Sequence, residues 1–299
     1  MNGPLQSFIP HLIVAPILLP LVTAALMLLL GEPRRVLKAG INVLSCAIGL
    51  AVSITLLVWV DSHDAAGAVG VYLPSNWEVP FGIVLAVDRL SAMMLLLSSA
   101  IGLASVLFAV ARWDRAGVHF HPLFQIQLMG LNGAFLTADL FNLFVFFEVL
   151  LAASYGLLLH GSGRARVSAG LHYIAVNLLA SSLFLIGVAV LYGATGTLNM
   201  ADLAQKIPMV EDDDRALMHA GAAILAIAFL AKAAMWPLNF WLVPAYAAAG
   251  APVAALVAPM TKVGVYAVLR LWTLLFGSGA GASALFGGGA LVGGGLGAL

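Results

Sequence analysis

Four ionisable side chains lie inside long apolar segments of the chain, and all four are of types that can accept and release protons. Glu148 lies in FNLFVFFEVLLAASYGLLLHG (141–161), His172 lies about one turn inside the next apolar segment, and Lys232 and Lys262 lie in two later segments. A charge at the centre of a bilayer costs about 2.5 to 3.5 kcal/mol, and such residues often mark ion or proton pathways. Four of them in successive segments favour a proton path over ion pairs that only fix helix packing.

Glu148 and Lys232 suggest a charge pair that can be switched. Two unit charges about 4 Å apart interact by roughly 4 kcal/mol at an effective dielectric constant near 20. Close contact would therefore keep both groups charged, whereas separation would let the lysine release its proton. A small movement of the helices would then gate proton transfer, provided that the two segments touch.

A proline close to Lys232 predicts an interrupted helix. The sequence reads KAAMWPLNFWLVPAY (232–246), in which Pro237 has no N–H to donate and clashes with the carbonyl of Ala233. We therefore expect a break or kink about one turn beyond Lys232. Interrupted helices beside charged groups form the binding sites of many transporters.

The composition is that of an all-α polytopic membrane protein. Hydrophobic residues make up 63% of the chain and charged residues only 9%, whereas a soluble domain carries about 25% charged residues. The net charge of +0 gives no sign of nucleic-acid binding, and a single cysteine, Cys46, excludes an intrachain disulfide. The sequence contains no nucleotide-binding loop, nucleophile elbow, or haem or iron–sulfur spacing, so we expect neither a cofactor nor an enzyme.

About nine segments are apolar enough to cross a bilayer, for which about 20 residues are needed. A long apolar block is divided at Thr137-Ala138-Asp139, because one undivided helix would far overshoot the membrane at about 1.5 Å per residue. A short amphipathic helix is expected at the outer surface within 195–207. The predicted spans are 8–30, 38–60, 87–111, 122–138, 140–160, 168–192, 217–246, 252–275 and 282–299.

The charges of the loops predict the orientation. Basic residues collect on one side of the predicted spans and acidic residues on the other, so the positive-inside rule places the N-terminus outside, in the periplasm or its equivalent. The basic side carries Arg34, Arg35, Lys38, Arg112, Arg115, Arg164 and Arg166, and the acidic side carries Asp61, Asp64, Glu78 and Glu211–Asp214, with Lys206 and Arg215 as its cations.

Other polar residues have structural interpretations. Asp139 and Asn142 follow the predicted break and are expected to cap the next helix. His119 and His121 precede Pro122 in a predicted loop. Arg270, near the end of the eighth span, is expected to extend along the helix to the membrane surface.

Four stretches together resemble a known family. They are LNGAFLTADLFNLFVFFEVLLAASY (131–155), ATGTLNMADLA (194–204), KAAMWPLNFWLVPAY (232–246) and TKVGVYAVLRLWTLLF (261–276). They resemble the proton-translocating membrane subunits shared by respiratory complex I and Mrp-type cation/proton antiporters. Complex I relatives and the large antiporter subunit usually carry a histidine where this chain has Asn239, so the chain most resembles the D-type subunit of the multisubunit monovalent cation/proton antiporter, known as the Mrp or Pha system.

The resemblance implies roles for the intramembrane residues. Glu148, Lys232 and Lys262 match the family's proton-carrying glutamate and lysines. His172 stands where the family often has a lysine, and an imidazole can also relay protons. The family is built on two inverted five-helix repeats.

That architecture divides the chain into three parts. Residues 1–121 would hold three N-terminal helices, and 122–276 the first repeat, helices 4–8, with a broken helix 7. Residues 277–299 would begin a second repeat in a chain that is C-terminally truncated.

The expected function is that of an ion-transport subunit of the bacterial inner membrane. It would carry protons in exchange for sodium or another monovalent cation, with other subunits of a hetero-oligomeric complex as partners. One alternative is a proton-pumping membrane-arm subunit of a complex I-like NADH:quinone oxidoreductase or a membrane-bound hydrogenase. Another is a structural scaffold whose buried charges only fix the packing.

Overall fold

The computed structural model of the chain describes residues 11–62, 69–77, 79–161 and 163–275, apart from the side chains of Glu32 and Arg112. Helices make up most of this part of the chain, and two short antiparallel strands pair beside them. The helices are α1 (Ala15–Leu29), α2 (Arg35–Ser62), α3 (Arg89–Arg112), α4 (Phe120–Leu136), α5 (Leu140–Leu158), α6 (Arg164–Thr195), α7 (Met200–Lys206), α8 (Asp212–Lys232), α9 (Leu242–Ala248) and α10 (Ala251–Leu275); the strands are β1 (Gly70–Tyr72) and β2 (Leu85–Val87).

The helices confirm the all-α membrane class. Six of them, α2, α3, α5, α6, α8 and α10, are long and apolar enough to cross a membrane, and α1 is a shorter apolar helix. Each of the first eight predicted spans contains a helix. The ninth, 282–299, lies outside the described residues, so the count of about nine is not confirmed.

The predicted division of the long apolar block is confirmed at Thr137–Asp139. Asp139 caps α5, since its Oδ1 accepts a hydrogen bond from the backbone N of Asn142 at 2.8 Å. The carboxylate thus satisfies a donor that a helix N-terminus would leave unpaired. The expected capping role of Asp139 is therefore observed.

Main-chain hydrogen bonds hold this short connection from two sides. Ala138 donates to the carbonyl of Val84 at 2.9 Å, and its own carbonyl accepts from the N–H of Met200 at 2.9 Å. Leu140 donates to the carbonyl of Leu198 at 2.9 Å. We call the three interacting segments, 84–87, 137–140 and 198–200, the hairpin clamp. The three-residue strands are too short for a hydrophobic alternation to reveal them in sequence.

The helices pack around α4, most of whose side chains are buried. α1 and α5 pack against α4, α2 packs against α3, α6 packs against α8, and α10 contacts α3 and α8. α10 and α8 can approach each other closely only where a small residue lies between them. A Cβ on Gly264 of α10 would lie 2.8 Å from the carbonyl oxygen of Phe229, so only glycine lets α10 lie against the end of α8.

One expectation about a polar residue is wrong. α4 begins at Phe120, so His121 lies in its first turn and is buried rather than in a loop. Arg270 pairs with Asp88 at the start of α3, where its Nη2 donates to both carboxylate oxygens, at 2.9 and 2.8 Å. The sequence of α10 alone could not reveal this charged partner, and the extension of Arg270 to the membrane surface stays a prediction.

Candidate functional site

Three helices bring Glu148, Ser181 and Lys232 into one hydrogen-bonded group, which we call the triad. Lys232 Nζ, at the end of α8, donates to Ser181 Oγ of α6 at 2.8 Å. Ser181 Oγ in turn donates to Glu148 Oε1 of α5. The ammonium and the carboxylate are 3.8 Å apart, so their direct contact is ionic while the hydroxyl makes the hydrogen bonds. The predicted contact between the two charged residues is therefore present, with a serine between them.

The two charges of the triad have different surroundings. The Lys232 side chain is 2% exposed, whereas that of Glu148 is 33% exposed. The ammonium lies over the ring of Phe147, 4.9 Å from its centroid. Beside Phe147, the rings of Phe184 and Phe229 pack edge to face, with their centroids 4.8 Å apart. An apolar aromatic wall strengthens both the cation–π contact and the attraction to the carboxylate. Lys232 is thus the enclosed end of the triad and Glu148 its open end.

The helix that carries Lys232 ends at that residue. Ala233 still donates to the carbonyl of Phe229 at 2.7 Å, but Ala234 has a φ of 53°, a left-handed conformation that does not continue a helix. The break therefore begins before Pro237, and not one turn beyond Lys232 as the proline rule predicts. Pro237 lies inside the non-helical stretch that joins α8 to α9, so the broken helix itself is confirmed.

The carbonyl groups freed by the break need other partners at this depth. The Ala231 carbonyl accepts from the N–H of Ala234 at 3.1 Å and also from the indole Nε1 of Trp241 at 3.0 Å. Trp241 is fully buried, and its ring packs 5.3 Å from that of Tyr173. The indole thus closes the non-helical stretch back onto the last turn of α8, directly beside Lys232.

The other two predicted residues lie apart from the triad's hydrogen bonds. His172 is exposed on α6, with its ring 5.8 Å from that of Phe240. Lys262 is exposed on α10, and its Nζ donates to Thr261 Oγ1 at 3.2 Å. Their roles in proton transfer remain predictions.

Sequence reasoning missed Ser181. Serine costs little in an apolar helix, and Ser182 stands directly beside it, so helical periodicity could not show which one faces the bundle. In the structure Ser182 donates to the Leu178 carbonyl of its own helix, while Ser181 is buried between the two charges. The usable signal was the combination of a hydroxyl in α6 with charges in the helices before and after it.

A family model described as the NADH:quinone oxidoreductase/Mrp antiporter transmembrane domain matches residues 137–299. A protein of Rhizobium meliloti (strain 1021), named as the probable D-type subunit of a K(+)/H(+) antiporter, is 56% identical over 98% of this chain and 54% of its own length. The D-type subunit of a Na(+)/H(+) antiporter from Alkalihalophilus pseudofirmus is 40% identical over 89% of this chain and 53% of its own length.

Solved structures give the same picture. A chain of the Mrp complex from Dietzia sp. DQ12-45-1b superposes with a TM-score of 0.77 at 34% identity, covering 92% of this chain and 50% of that one. A chain of the membrane-bound sulfane sulfur reductase, an archaeal respiratory membrane complex, superposes with a TM-score of 0.80 at 29% identity, covering 91% and 55%.

The matches to the relatives and to the solved structures extend over nearly the whole chain, while the chain spans about half the length of the curated relatives it matches. The triad lies on α5, α6 and α8, all of which fall within the matched family region. The chain is a multi-pass membrane protein that belongs to the NADH:quinone oxidoreductase/Mrp antiporter family.

Proposed function

We propose that the protein is a membrane subunit of a multisubunit monovalent cation/proton antiporter and that the triad carries its protons. The observation that supports this most directly is a buried lysine joined to a glutamate through one hydroxyl, at the end of an interrupted membrane helix. The relatives named as D-type antiporter subunits support the same assignment.

The triad can transfer a proton without moving a heavy atom far. The ammonium of Lys232 gives a proton to Ser181 Oγ while Ser181 gives its own proton to Glu148 Oε1. The ammonium becomes a neutral amine, the carboxylate becomes a neutral acid, and the serine is unchanged. Because the transfer neutralises both groups and removes their attraction, it would let α8 separate from α5 afterwards.

The proposal extends to the rest of the predicted path. Lys262 and His172 would carry protons onward from the triad, from the exposed faces of α10 and α6. In this scheme 1–121 form the N-terminal helices, 122–276 the proton-translocating repeat and 277–299 the beginning of a second repeat. Other subunits, the transported cation and the lipid of the bacterial inner membrane would be the partners.

The orientation is also part of the proposal. The connections α3–α4 and α5–α6 meet, since a Cβ on Gly117 would lie 3.0 Å from the His160 ring, and Arg35 of the α1–α2 connection acts electrostatically on the same ring. These three connections, which carry the basic residues, therefore share one end of the bundle. We call this the basic end. It would face the cytoplasm, so that the N-terminus lies outside.

The test uses the full-length gene in its complete operon, expressed in antiporter-deficient cells. Proton gradients in everted vesicles are followed as sodium or potassium is added, for wild type, Glu148→Ala and Lys232→Ala, with assembly checked by co-purification. Lys206→Ala is the matched control, because Lys206 pairs with Asp202 on the short helix α7 at 3.0 Å. We expect exchange to be lost in the first two variants and kept in the third.

Other outcomes distinguish the alternatives. Normal exchange in both triad variants would return these charges to a packing role and favour the scaffold. A wild-type complex that responds to no monovalent cation would favour a subunit of a redox-driven complex, an alternative that the likeness to the sulfane sulfur reductase chain supports.

A further inference from the structure

A second buried polar network lies on helices that do not carry Glu148 or Lys232. At the basic end, His121 Nε2 of α4 faces Asp114 Oδ2 at 3.5 Å, and both side chains are buried. Asp114 belongs to the 3₁₀ turn Trp113–Ala116 after α3. The other ring nitrogen, His121 Nδ1, contacts Asn42 Nδ2 of α2 at 2.9 Å.

From Asn42 the network continues toward the middle of the bundle. Asn42 Oδ1 accepts from Gln125 Nε2 at 2.7 Å, and Gln125 Oε1 accepts from Ser45 Oγ at 3.3 Å. Ser45 Oγ and Thr23 Oγ1 are 3.0 Å apart, which brings in α1. The polar chain therefore runs Asp114, His121, Asn42, Gln125, Ser45, Thr23, through α4, α2 and α1.

From Ser45 onward, the hydrogen bonds of this polar chain all point toward His121. Since Asn42 Oδ1 accepts from Gln125, the Asn42 amide must turn its Nδ2 group to His121, where it donates to Nδ1. A neutral imidazole that accepts at Nδ1 holds its proton on Nε2, facing the carboxylate of Asp114. The ionised carboxylate favours this tautomer, because the other would direct a lone pair at a negative charge.

We propose that His121 is a second proton-binding site and that protonation of its Nδ1 reverses the direction of the whole polar chain. One proton, taken up from water at the basic end, forms the Nδ1–H bond, and no other covalent bond changes. Two donors then face each other, so the Asn42 amide turns over to present Oδ1 to the ring. Gln125 must follow for the same reason and then donates to Ser45, which donates to Thr23.

Charged and titratable groups from three other elements surround His121. Burial has the largest effect and opposes the imidazolium, and Lys38 of α2 opposes it as well. His160, from the turn after α5, also opposes it when charged. Burial, with help from Arg166, lowers the pKa of His160. Among these neighbours Asp114, from the turn after α3, is the group that stabilises the imidazolium, with its carboxylate at 3.5 Å.

The far end of the polar chain borders a small cavity of about 10 Å³, which is room for one water molecule. Ser45, Gln125 and Asn132 line it. Asn132 Nδ2 donates to the Pro16 carbonyl at 2.8 Å, a group left unpaired in α1 because Pro20 has no N–H. Asn132 Oδ1 is buried without a hydrogen-bond partner beside this cavity. Reversal of the chain thus changes which atoms Ser45 and Gln125 present to a polar pocket between α1, α2 and α4.

Cys46, the single cysteine in the chain, reports the direction of the hydrogen bonds. Its Sγ donates to Asn42 Oδ1 at 3.6 Å and receives from Gln125 Nε2 at 3.5 Å. When the Asn42 and Gln125 amides turn over, the thiol loses Asn42 Oδ1 as its acceptor and gains Gln125 Oε1, which takes the place of Nε2 at 3.5 Å. Its S–H stretching band should then change in frequency.

The test is infrared spectroscopy of the S–H region on the assembled complex with the full-length subunit in lipid, titrated from about pH 8 to about pH 5. Subtraction of the Cys46→Ala spectrum assigns the band. In wild type we expect the frequency of the band to change as the pH falls. In His121→Gln we expect a band that no longer depends on pH, while His119→Gln, two residues away and exposed, should behave as wild type.

Asp114→Asn is a second variant that keeps the imidazole. Its transition should occur at lower pH, because the carboxylate that stabilises the imidazolium is gone. A wild-type band that stays fixed, a transition that persists in His121→Gln, or an unchanged midpoint in Asp114→Asn would each overturn the proposal. Because no cation gradient is needed, the result is independent of antiport.

Discussion

At the scale of single residues, Ser181 decides how the charge pair of the triad can exchange a proton. An ammonium and a carboxylate 3.8 Å apart attract each other but share no hydrogen bond. A hydroxyl that accepts from one and donates to the other supplies the missing path. Charge-assisted hydrogen bonds of this kind are about twice as strong as neutral ones.

Ser181→Ala is therefore expected to slow proton transfer while leaving both charges in place. A hydrogen bond to a charged group contributes about 1.5 to 3 kcal/mol, so we expect a fall of about ten- to a hundredfold in the initial rate of cation-dependent proton exchange in vesicles. Ser182→Ala is the matched control, since that hydroxyl bonds only the Leu178 carbonyl in the structure.

Ser181→Thr should restore most of the rate, because threonine keeps a hydroxyl at the same position. Equal rates in Ser181→Ala and Ser182→Ala would show that the proton takes another route between α5 and α8.

The sequence predicted the charged members of the triad and not the serine. Glu148 and Lys232 were identifiable because a charge in an apolar segment is costly and needs a reason. Ser181 carries no such penalty, and the direction in which it points depends on how α6 packs. His172 and Lys262 lie on exposed faces of their helices for the same reason. The free-energy cost of a charge in an apolar segment does not indicate which face of the helix carries it.

At the scale of helices, Trp241 stabilises the break that presents Lys232. Its indole donates to the buried end of α8 through the Ala231 carbonyl at 3.0 Å. We expect Trp241→Phe to destabilise the complex by about 0.5 to 1.5 kcal/mol, the net contribution of one hydrogen bond, because the carbonyl keeps the N–H of Ala234 as a second donor at 3.1 Å. Thermal unfolding of the purified complex measures this loss.

Trp236→Phe serves as the comparison within the same stretch, since Trp236 is 85% exposed. A change in stability that is as large for Trp236 as for Trp241 would mean that bulk, and not the indole hydrogen bond, holds the break together.

The positions of the helices were largely predictable, and the details of their ends were not. Apolar length fixed the spans, and Thr137–Asp139 marked a true boundary. The end of α8 came earlier than Pro237 implied, because the left-handed conformation of Ala234 stops the helix first. No residue pattern indicates a positive φ at an alanine, which usually avoids it.

At the scale of the whole molecule, Arg270 and Asp88 join the last described helix to the first turn of α3. The pair is mostly buried, with side chains 18% and 14% exposed, and makes two hydrogen bonds. Removal of one partner of such a pair leaves a poorly solvated charge.

A double-mutant cycle with Arg270→Gln and Asp88→Asn should therefore give a coupling energy of about 1 to 3 kcal/mol in thermal unfolding of the complex. The pair Arg89–Asp61 provides the contrast. Its Nη2–Oδ1 distance is similar, at 3.0 Å, but its side chains are 62% and 70% exposed. We expect a coupling of at most about 1 kcal/mol there. Equal coupling in both pairs would contradict a special role for the buried one.

We expect the hairpin clamp to make one end of the bundle stiffer than the other. Backbone hydrogen bonds tie Ala138, Leu140 and Met200 together at that end, whereas at the basic end Arg166 joins the α5–α6 turn to α9 through side-chain bonds to carbonyls. These three amides should exchange with deuterium more slowly than the amides of Gly161 and Gly163.

α5 can then tilt as a rigid rod about its fixed end at Leu140. Glu148 lies about 12 Å from that end, at about 1.5 Å per residue. A tilt of about 10° would displace the carboxylate by about 2 Å, enough to break its hydrogen bond to Ser181. The stiffness of the clamped end thus sets how small a rocking motion suffices to open the triad.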